Sequence, residues 1–301
     1  MVWGIMITWY LFLAGLSAGA FISSIYVDRK YPNRDKFVLI SRIVALFALA
    51  VGLLLLIADA EGALHNPLSL FYLLHGTLTS VMSWGVILLI IAGITQFLLL
   101  LYSLFKSKDY GFVQFIQKIK KPLEIVGILS CLGVGAYTGL LIGVVKTAPL
   151  WNNAVLPALF LVSALSSGIA ASQFFSAIFV PSEAKGLWSL KKGHLILLLV
   201  ELILLFFMLF IVNSGNAAGV ESVQSLMSGK FALLFWLILV IAGLLIPAII
   251  EALELKHYKQ NSNISPNLIL LFIVEGLVIL GGFTLRYLVI EAAVPLNFLG
   301  F

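Results

Sequence analysis

The stretch WGVILLIIAGITQFLLLLYSLF, Trp84 to Phe105, contains no charged residue. A helix needs about 20 apolar residues to cross roughly 30 Å of hydrocarbon, so this segment reads as one transmembrane span. Working outward from it, seven more runs of similar length and character appear. They lie at Met6–Val27, Phe37–Ala58, Leu123–Val145, Val155–Val180, His194–Val212, Phe231–Ile250 and Leu268–Ile290. Eight such spans predict an all-α integral membrane protein.

The composition of the 301 residues agrees: 62% are hydrophobic, 10% are charged, and the mean hydropathy is +1.14. Soluble domains hold about 45–50% apolar and about 25% charged residues, so lipid must form part of this chain's solvent. The net charge of +5 invites a nucleic-acid reading, but the basic residues sit in short segments between apolar runs. All 18 of them except Lys146, Lys230 and Arg286 fall in the connections after spans 1, 3, 5 and 7 or at their edges. The positive-inside rule makes that side cytoplasmic and predicts that both termini face outward. No nucleic-acid partner is expected; the bilayer is. The first run lacks a basic residue before it and exceeds a signal-peptide core in length, so it reads as a retained helix.

A weak internal repeat runs through the chain. Leu11-Phe12-Leu13 followed by Leu16-Ser17-Ala18-Gly19 recurs as Leu159-Phe160-Leu161 followed by Leu165-Ser166-Ser167-Gly168. Gly135-Ala136-Tyr137-Thr138 with Pro149 recurs as Gly281-Gly282-Phe283-Thr284 with Pro295. Spans 1 and 5 cross in the same direction, which predicts two parallel four-helix bundles, residues 1–150 and 151–301. Similar composition of membrane helices is the alternative explanation.

Ionisable groups near or inside hydrocarbon are costly, and each needs a purpose. Asp59 and Glu61 close span 2 on the outer side, and His65 and His75 follow before span 3. Carboxylates and imidazoles without an interposed cation can accept protons released by a carrier, or simply cap helices in an interfacial loop. Tyr137 stands near the outer end of span 4 between Gly135, Gly139 and Gly143. Its phenol could bond a carbonyl, or its ring could pack on Gly15 and Gly19. Lys146 and Trp151 line an entrance or anchor the interface. Glu124, Glu201 and Glu275 fall in the inner halves of spans 4, 6 and 8, where they form a proton path or a salt-bridged network; Glu124 alternatively caps its helix. Cys131, the single cysteine, excludes an all-Cys iron–sulfur cluster, and no histidine pair faces a bundle at mid-depth, so no metal or haem ligand set is expected in this chain.

These residues resemble the polysulfide reductase membrane subunits, the NrfD/PsrC family. The resemblance is carried by the run Trp9 to Ala20 (WYLFLAGLSAGA), by Thr79 to Gly85 (TSVMSWG), by Tyr137-Thr138-Gly139, by Pro149 to Asn153 (PLWNN) with Leu156-Pro157, and by Gly281 to Tyr287 (GGFTLRY). It implies a haem-free, eight-helix subunit of an inner-membrane respiratory oxidoreductase, not active alone. Such a subunit exchanges electrons between menaquinone or ubiquinone and a four-cluster ferredoxin-like iron–sulfur protein, which serves a molybdopterin enzyme or a cytochrome. The resemblance places the quinone among the first four helices near the outer face. Asp59, His75 and Tyr137 are then the expected catalytic residues, with Trp9, Tyr10, Ser17, Glu61, Lys146 and Trp151 around the quinone. After Asp59 the chain reads Ala60-Glu61-Gly62-Ala63-Leu64 and departs from the Leu-Gly-Arg-Pro-like run usual in the family. A solute transporter and a purely structural anchor are the rival classes. Against the former, Pro149, Pro157, Pro181 and Pro295 sit at span ends and only Pro247 lies inside a span.

Overall fold

The computed structural model describes residues 4–59, 81–260 and 267–296. Its regular structure is helical throughout these residues, and eight helices are long and apolar enough to cross a membrane. In hydrocarbon every backbone N–H and C=O must find a partner within the segment, which is why apolar runs of this length become helices. The spanning helices are α1 (Ile5–Lys30), α2 (Asp35–Asp59), α3 (Val81–Phe105), α4 (Gly111–Gly143), α5 (Leu156–Phe179), α6 (Trp188–Asn213), α7 (Leu234–Lys259) and α8 (Leu268–Glu291).

The two ends of the bundle differ in charge. At one end the connections after α1, α3 and α5 are tied together. Arg34 donates to the Ser182 carbonyl at 2.6 Å, the backbone N–H groups of Lys36 and Phe37 donate to Glu183 at 2.9 and 3.0 Å, and Lys106 pairs with Asp35. Lys191 on α6 pairs with Glu254 on α7 at the same end. At the opposite end Leu296 N–H donates to the Thr147 carbonyl at 2.7 Å, Val294 N–H donates to the Ser222 hydroxyl at 3.0 Å, and Asp59 lies beside Gly4. The basic residues of these connections therefore share one end of the molecule, which Lys146, Lys230 and Arg286 do not join.

Small residues set how closely the helices approach. A Cβ placed on Gly19 of α1 would stand 3.0 Å from the Gly168 Cα on α5, and one placed on Gly168 would overlap the backbone of Gly19. Four residues along, the Ser23 and Ser172 hydroxyls share a 2.9 Å hydrogen bond. Lipid tails are as apolar as leucine, so helices in a bilayer associate through such close packing and through polar contacts. Gly139 of α4 seats Pro157 of α5, with the Pro157 Cα 2.6 Å from where a Cβ would stand, and Gly243 of α7 seats Gly281 of α8 at 2.6 Å by the same measure.

Helix bounds depart from expectation where basic residues flank a span. The segment from Gly111 to Lys121, expected as loop, forms the first turns of α4, so Pro122 lies inside a helix. Val113 and Ile116 are buried while Phe112 and Phe115 are exposed, an amphipathic face that a search for apolar runs overlooks. Likewise α6 begins at Trp188 and α7 reaches Lys259, which draws Lys191, Glu251 and Glu254 into helices. The connection between α6 and α7 holds a further helix, Ala217–Met227, capped by Asn216, whose side chain accepts from Gly219 N–H at 2.9 Å. Residues Leu234–Leu245 of α7 wind as a π-helix that ends two residues before Pro247. In an α ladder the Pro247 ring would clash with the Gly243 carbonyl, and the wider turn relieves it.

Candidate functional site

The less basic end of α1 to α4 carries three of the expected site residues, Asp59, Tyr10 and Tyr137. Asp59 closes α2, partly exposed, beside Gly4, which begins α1 without a side-chain cap. A carboxylate near the N-terminus of α1 is in a favourable place for negative charge. Tyr137 is 5% exposed, and its ring lies flat against Gly85 of α3, where any side chain would collide with it. Its neighbour is thus α3 and not the Gly15 and Gly19 of α1, which face α5 and Arg286. Tyr10 is 1% exposed and within electrostatic reach of Tyr137. Neither tyrosine hydroxyl hydrogen-bonds another described residue, and the buried Thr8 hydroxyl is also unpartnered among them. Two buried phenols and a hydroxyl without partners among the described residues are a polar lining that a carrier's carbonyl or hydroxyl can satisfy. Glu61, His65 and His75 lie outside the described residues.

The other expected quinone contacts are spread more widely. Trp9 stacks obliquely on Phe283 of α8, with ring centroids 4.3 Å apart, and meets Phe12 edge-on. Trp151 is buried and donates from its indole to the Val289 carbonyl at 2.7 Å, which fastens the connection after α4 to α8. Lys146 lines a groove of about 580 Å³ with Asn152, Asn153 and Asn216. Ser17 is fully buried deeper in the bundle and hydrogen-bonds Gln96 of α3 at 3.1–3.2 Å, and Gln96 reaches Cys131 of α4 at 3.6 Å. This node joins three helices, but it lies about two turns farther along α1 than Tyr10.

Glu124 does not cap a helix, because α4 begins more than three turns earlier. It is buried, receives Arg29 at 2.7 Å and lies 3.7 Å from Lys120. Lys120 also reaches Asp28 at 2.8 Å, and Asp28 holds the buried Arg42 at 2.9 Å, which in turn bonds Ser103 and the Leu99 carbonyl. At the basic end, then, α1 to α4 are held by a branched ion network.

Glu201 and Glu275 belong to a second buried polar system, in α5 to α8. Ser166 donates to Glu201 at 2.7 Å, and Ser163 lies between Glu201 and Arg286, whose guanidinium donates to the Ser163 hydroxyl and the Gly282 carbonyl, both at 2.8 Å. Glu275 meets His194 at 3.7 Å, and His194 bonds Glu251 at 2.8 Å. All three are fully buried, and their ligand-type atoms lie within 4.8 Å of one another. The two glutamates expected as one path thus have different partners, and Glu124 stands apart in the first four helices.

Sequence reading missed Arg42, Gln96, Glu251 and the inward role of Arg286. The available signal was a charge or an amide inside an apolar run. Gln96 interrupts the stretch quoted at the outset, and Arg286 follows the uncharged Gly281-Gly282-Phe283-Thr284-Leu285 within α8. Glu251 escaped because it falls just beyond the apolar run that defined span 7.

Residues 1–296 match the model of the family described as polysulphide reductase, NrfD. The sequence is 34% identical to the C chain of the polysulfide reductase of Wolinella succinogenes, with 97% of this protein and 94% of the relative covered. It is 31% identical to an NrfD homolog of Haemophilus influenzae, again with 97% and 94% covered. A more distant relative is the C subunit of the selenate reductase of Mesobacillus selenatarsenatis, 29% identical, with 78% of this protein and 63% of the relative covered. With eight membrane-spanning helices and a family match along nearly its full length, the chain is a multi-pass inner-membrane protein and belongs to the polysulphide reductase NrfD family.

Proposed function

We propose that this chain is the quinone-handling membrane subunit of a respiratory oxidoreductase and that it oxidises quinol at the outer face of the membrane. The observation that carries the reading is the pair of buried tyrosines, Tyr10 and Tyr137, whose hydroxyls have no partner among the described residues at the end of α1 to α4 where Asp59 lies. The basic end is the cytoplasmic one by the positive-inside rule, so the Asp59 end faces outward, as do both termini. Oxidation of a quinol releases two electrons and two protons. Tyr137 donates a hydrogen bond to the carrier's head group, and Asp59 and His75 accept the protons. The electrons leave for a four-cluster iron–sulfur partner docked on the outer loops, which serves a molybdopterin enzyme or a cytochrome. Menaquinone and ubiquinone present the same carbonyl and hydroxyl chemistry to these groups.

The contact of Gly19 with Gly168 and the bond of Ser23 to Ser172 pair positions that are equivalent in the sequence repeat. This supports two parallel four-helix bundles meeting at α1 and α5.

The test is Asp59→Asn in the assembled complex, with quinol-dependent electron transfer and assembly measured side by side. Turnover lost with assembly intact supports the proposal; unchanged turnover identifies a structural anchor.

A further inference from the structure

The buried cluster of His194, Glu251 and Glu275 has no role in the quinol chemistry proposed above. It joins α6, α7 and α8, one turn deeper than the Lys191–Glu254 pair on the same faces of α6 and α7. Set on three helices, these residues have no ligand spacing that a sequence would reveal. Lys191 is matched by Glu254, and Glu201 shares Ser163 with Arg286, so the cluster's own charge is that of two carboxylates beside one imidazole. Each buried charge costs several kcal/mol unless it is offset, and an imidazolium at His194 would offset only one of the two.

Geometry indicates what offsets both. His194 Nδ1 stands 2.8 Å from Glu251 Oε1 but 3.7 Å from Glu275 Oε2, too far for a hydrogen bond. Both Glu275 oxygens, one Glu251 oxygen and the second His194 nitrogen have no hydrogen-bond partner among the described residues. Protonating Glu275 would not satisfy it, since its hydroxyl would find no acceptor among those residues either. A metal ion satisfies acceptors that stand apart from one another. Imidazole nitrogen and carboxylate oxygen bind first-row divalent ions at about 2.0–2.2 Å, which spaces neighbouring ligand atoms about 3–4 Å apart. One ligand atom from each of the three residues lies within 4.8 Å of the others, so small side-chain rotations bring them onto one centre. Two positive charges also cancel both carboxylates while His194 stays neutral. One nitrogen with carboxylate oxygens and no thiolate suits zinc or manganese(II), whereas calcium and magnesium take oxygen alone and softer ions take sulfur.

We propose that His194, Glu251 and Glu275 bind one divalent cation, zinc or manganese(II), which clamps α6, α7 and α8 together near the basic end. The proton that His194 shares with Glu251 leaves to solvent as the ion binds. Glu254, one turn nearer the basic end and partly exposed, is the first carboxylate that an entering ion meets. No electron is transferred in this step.

The test uses the full chain in detergent, without a metal-binding tag, stripped with a chelator and then loaded with Zn²⁺ or Mn²⁺ alone. Mass spectrometry of the metal content should give one ion per chain, and loading should raise the melting temperature above that of the stripped chain. X-ray absorption at the zinc edge should show one imidazole nitrogen and oxygen ligands at about 2.0–2.2 Å, without sulfur. Glu275→Gln should weaken binding by more than about 100-fold, beyond what loss of a supporting hydrogen bond costs a metal site. Glu201→Gln, buried in the same four helices but outside the cluster, should bind as the parent does; His194→Asn serves if Glu275→Gln fails to fold. A parent chain that retains neither ion, a folded Glu275→Gln or His194→Asn chain that holds it as tightly as the parent, or an edge spectrum dominated by several imidazoles would each overturn the proposal. The measurements involve no quinol, so they succeed or fail independently of quinol oxidation.

Discussion

Gly19 of α1 and Gly168 of α5 face each other with no side chain between them, and the helices touch backbone to backbone there. The contact fixes the interface between the two halves of the chain, and through it the position of α1, which bears Tyr10, Ser17 and the Phe12 ring that meets Arg286.

Gly168→Leu should therefore prevent normal packing. Overpacking commonly costs about 1–3 kcal/mol, and a clash with backbone has few ways to relax. Gly193→Ala, with open space around it, should stay within about 0.5 kcal/mol of the parent. Thermal unfolding in detergent compares the two, and equal stability of both variants would contradict the assigned contact.

Gln96→Leu removes the amide that joins Ser17 to Cys131. A buried hydroxyl left without its partner costs about 1–3 kcal/mol, so the melting temperature should fall. Quinol turnover per assembled complex should hold, because the node lies away from Tyr137; a selective loss of turnover would place Ser17 in the quinone site instead.

Arg42→Ala should be among the most damaging changes at the basic end. Arg42 is 1% exposed and ties Asp28, Ser103 and the Leu99 carbonyl together. Removing one partner of a buried ion pair costs about 3–5 kcal/mol. Yield of folded protein after detergent extraction is the measurement, and a parent-like yield would show the network to be dispensable.

Tyr137→Phe keeps the ring against Gly85 and removes only the hydroxyl. One hydrogen bond of about 1 kcal/mol corresponds to roughly a fivefold rise in KM for quinol. Titration of quinol against the assembled complex reads this directly, and an unchanged KM would remove Tyr137 from the head-group site.

Arg286→Met and Glu201→Gln should be coupled. Both side chains use Ser163, so the double variant should lose less stability than the sum of the single ones, by about 0.5–3 kcal/mol. Strict additivity in thermal unfolding would separate the two groups.

The eight spans were legible in the sequence because hydrocarbon imposes length and apolarity on any segment that crosses it, residue by residue. Trp84 to Phe105 could scarcely be anything else. The grouping of basic residues was legible for the same reason, since each connection carries its own charge. Helix extensions such as Gly111 to Lys121 were not, because an amphipathic turn outside the lipid has no apolar run to announce it. Partnership was hidden more deeply. Glu201 and Glu275 look alike in the sequence, yet one meets serines and the other a histidine, and Glu124 belongs to a separate ion network. Which buried charges meet depends on helix rotation and crossing, and those follow from contacts such as Gly19 with Gly168 and Gly243 with Gly281 between residues far apart along the chain.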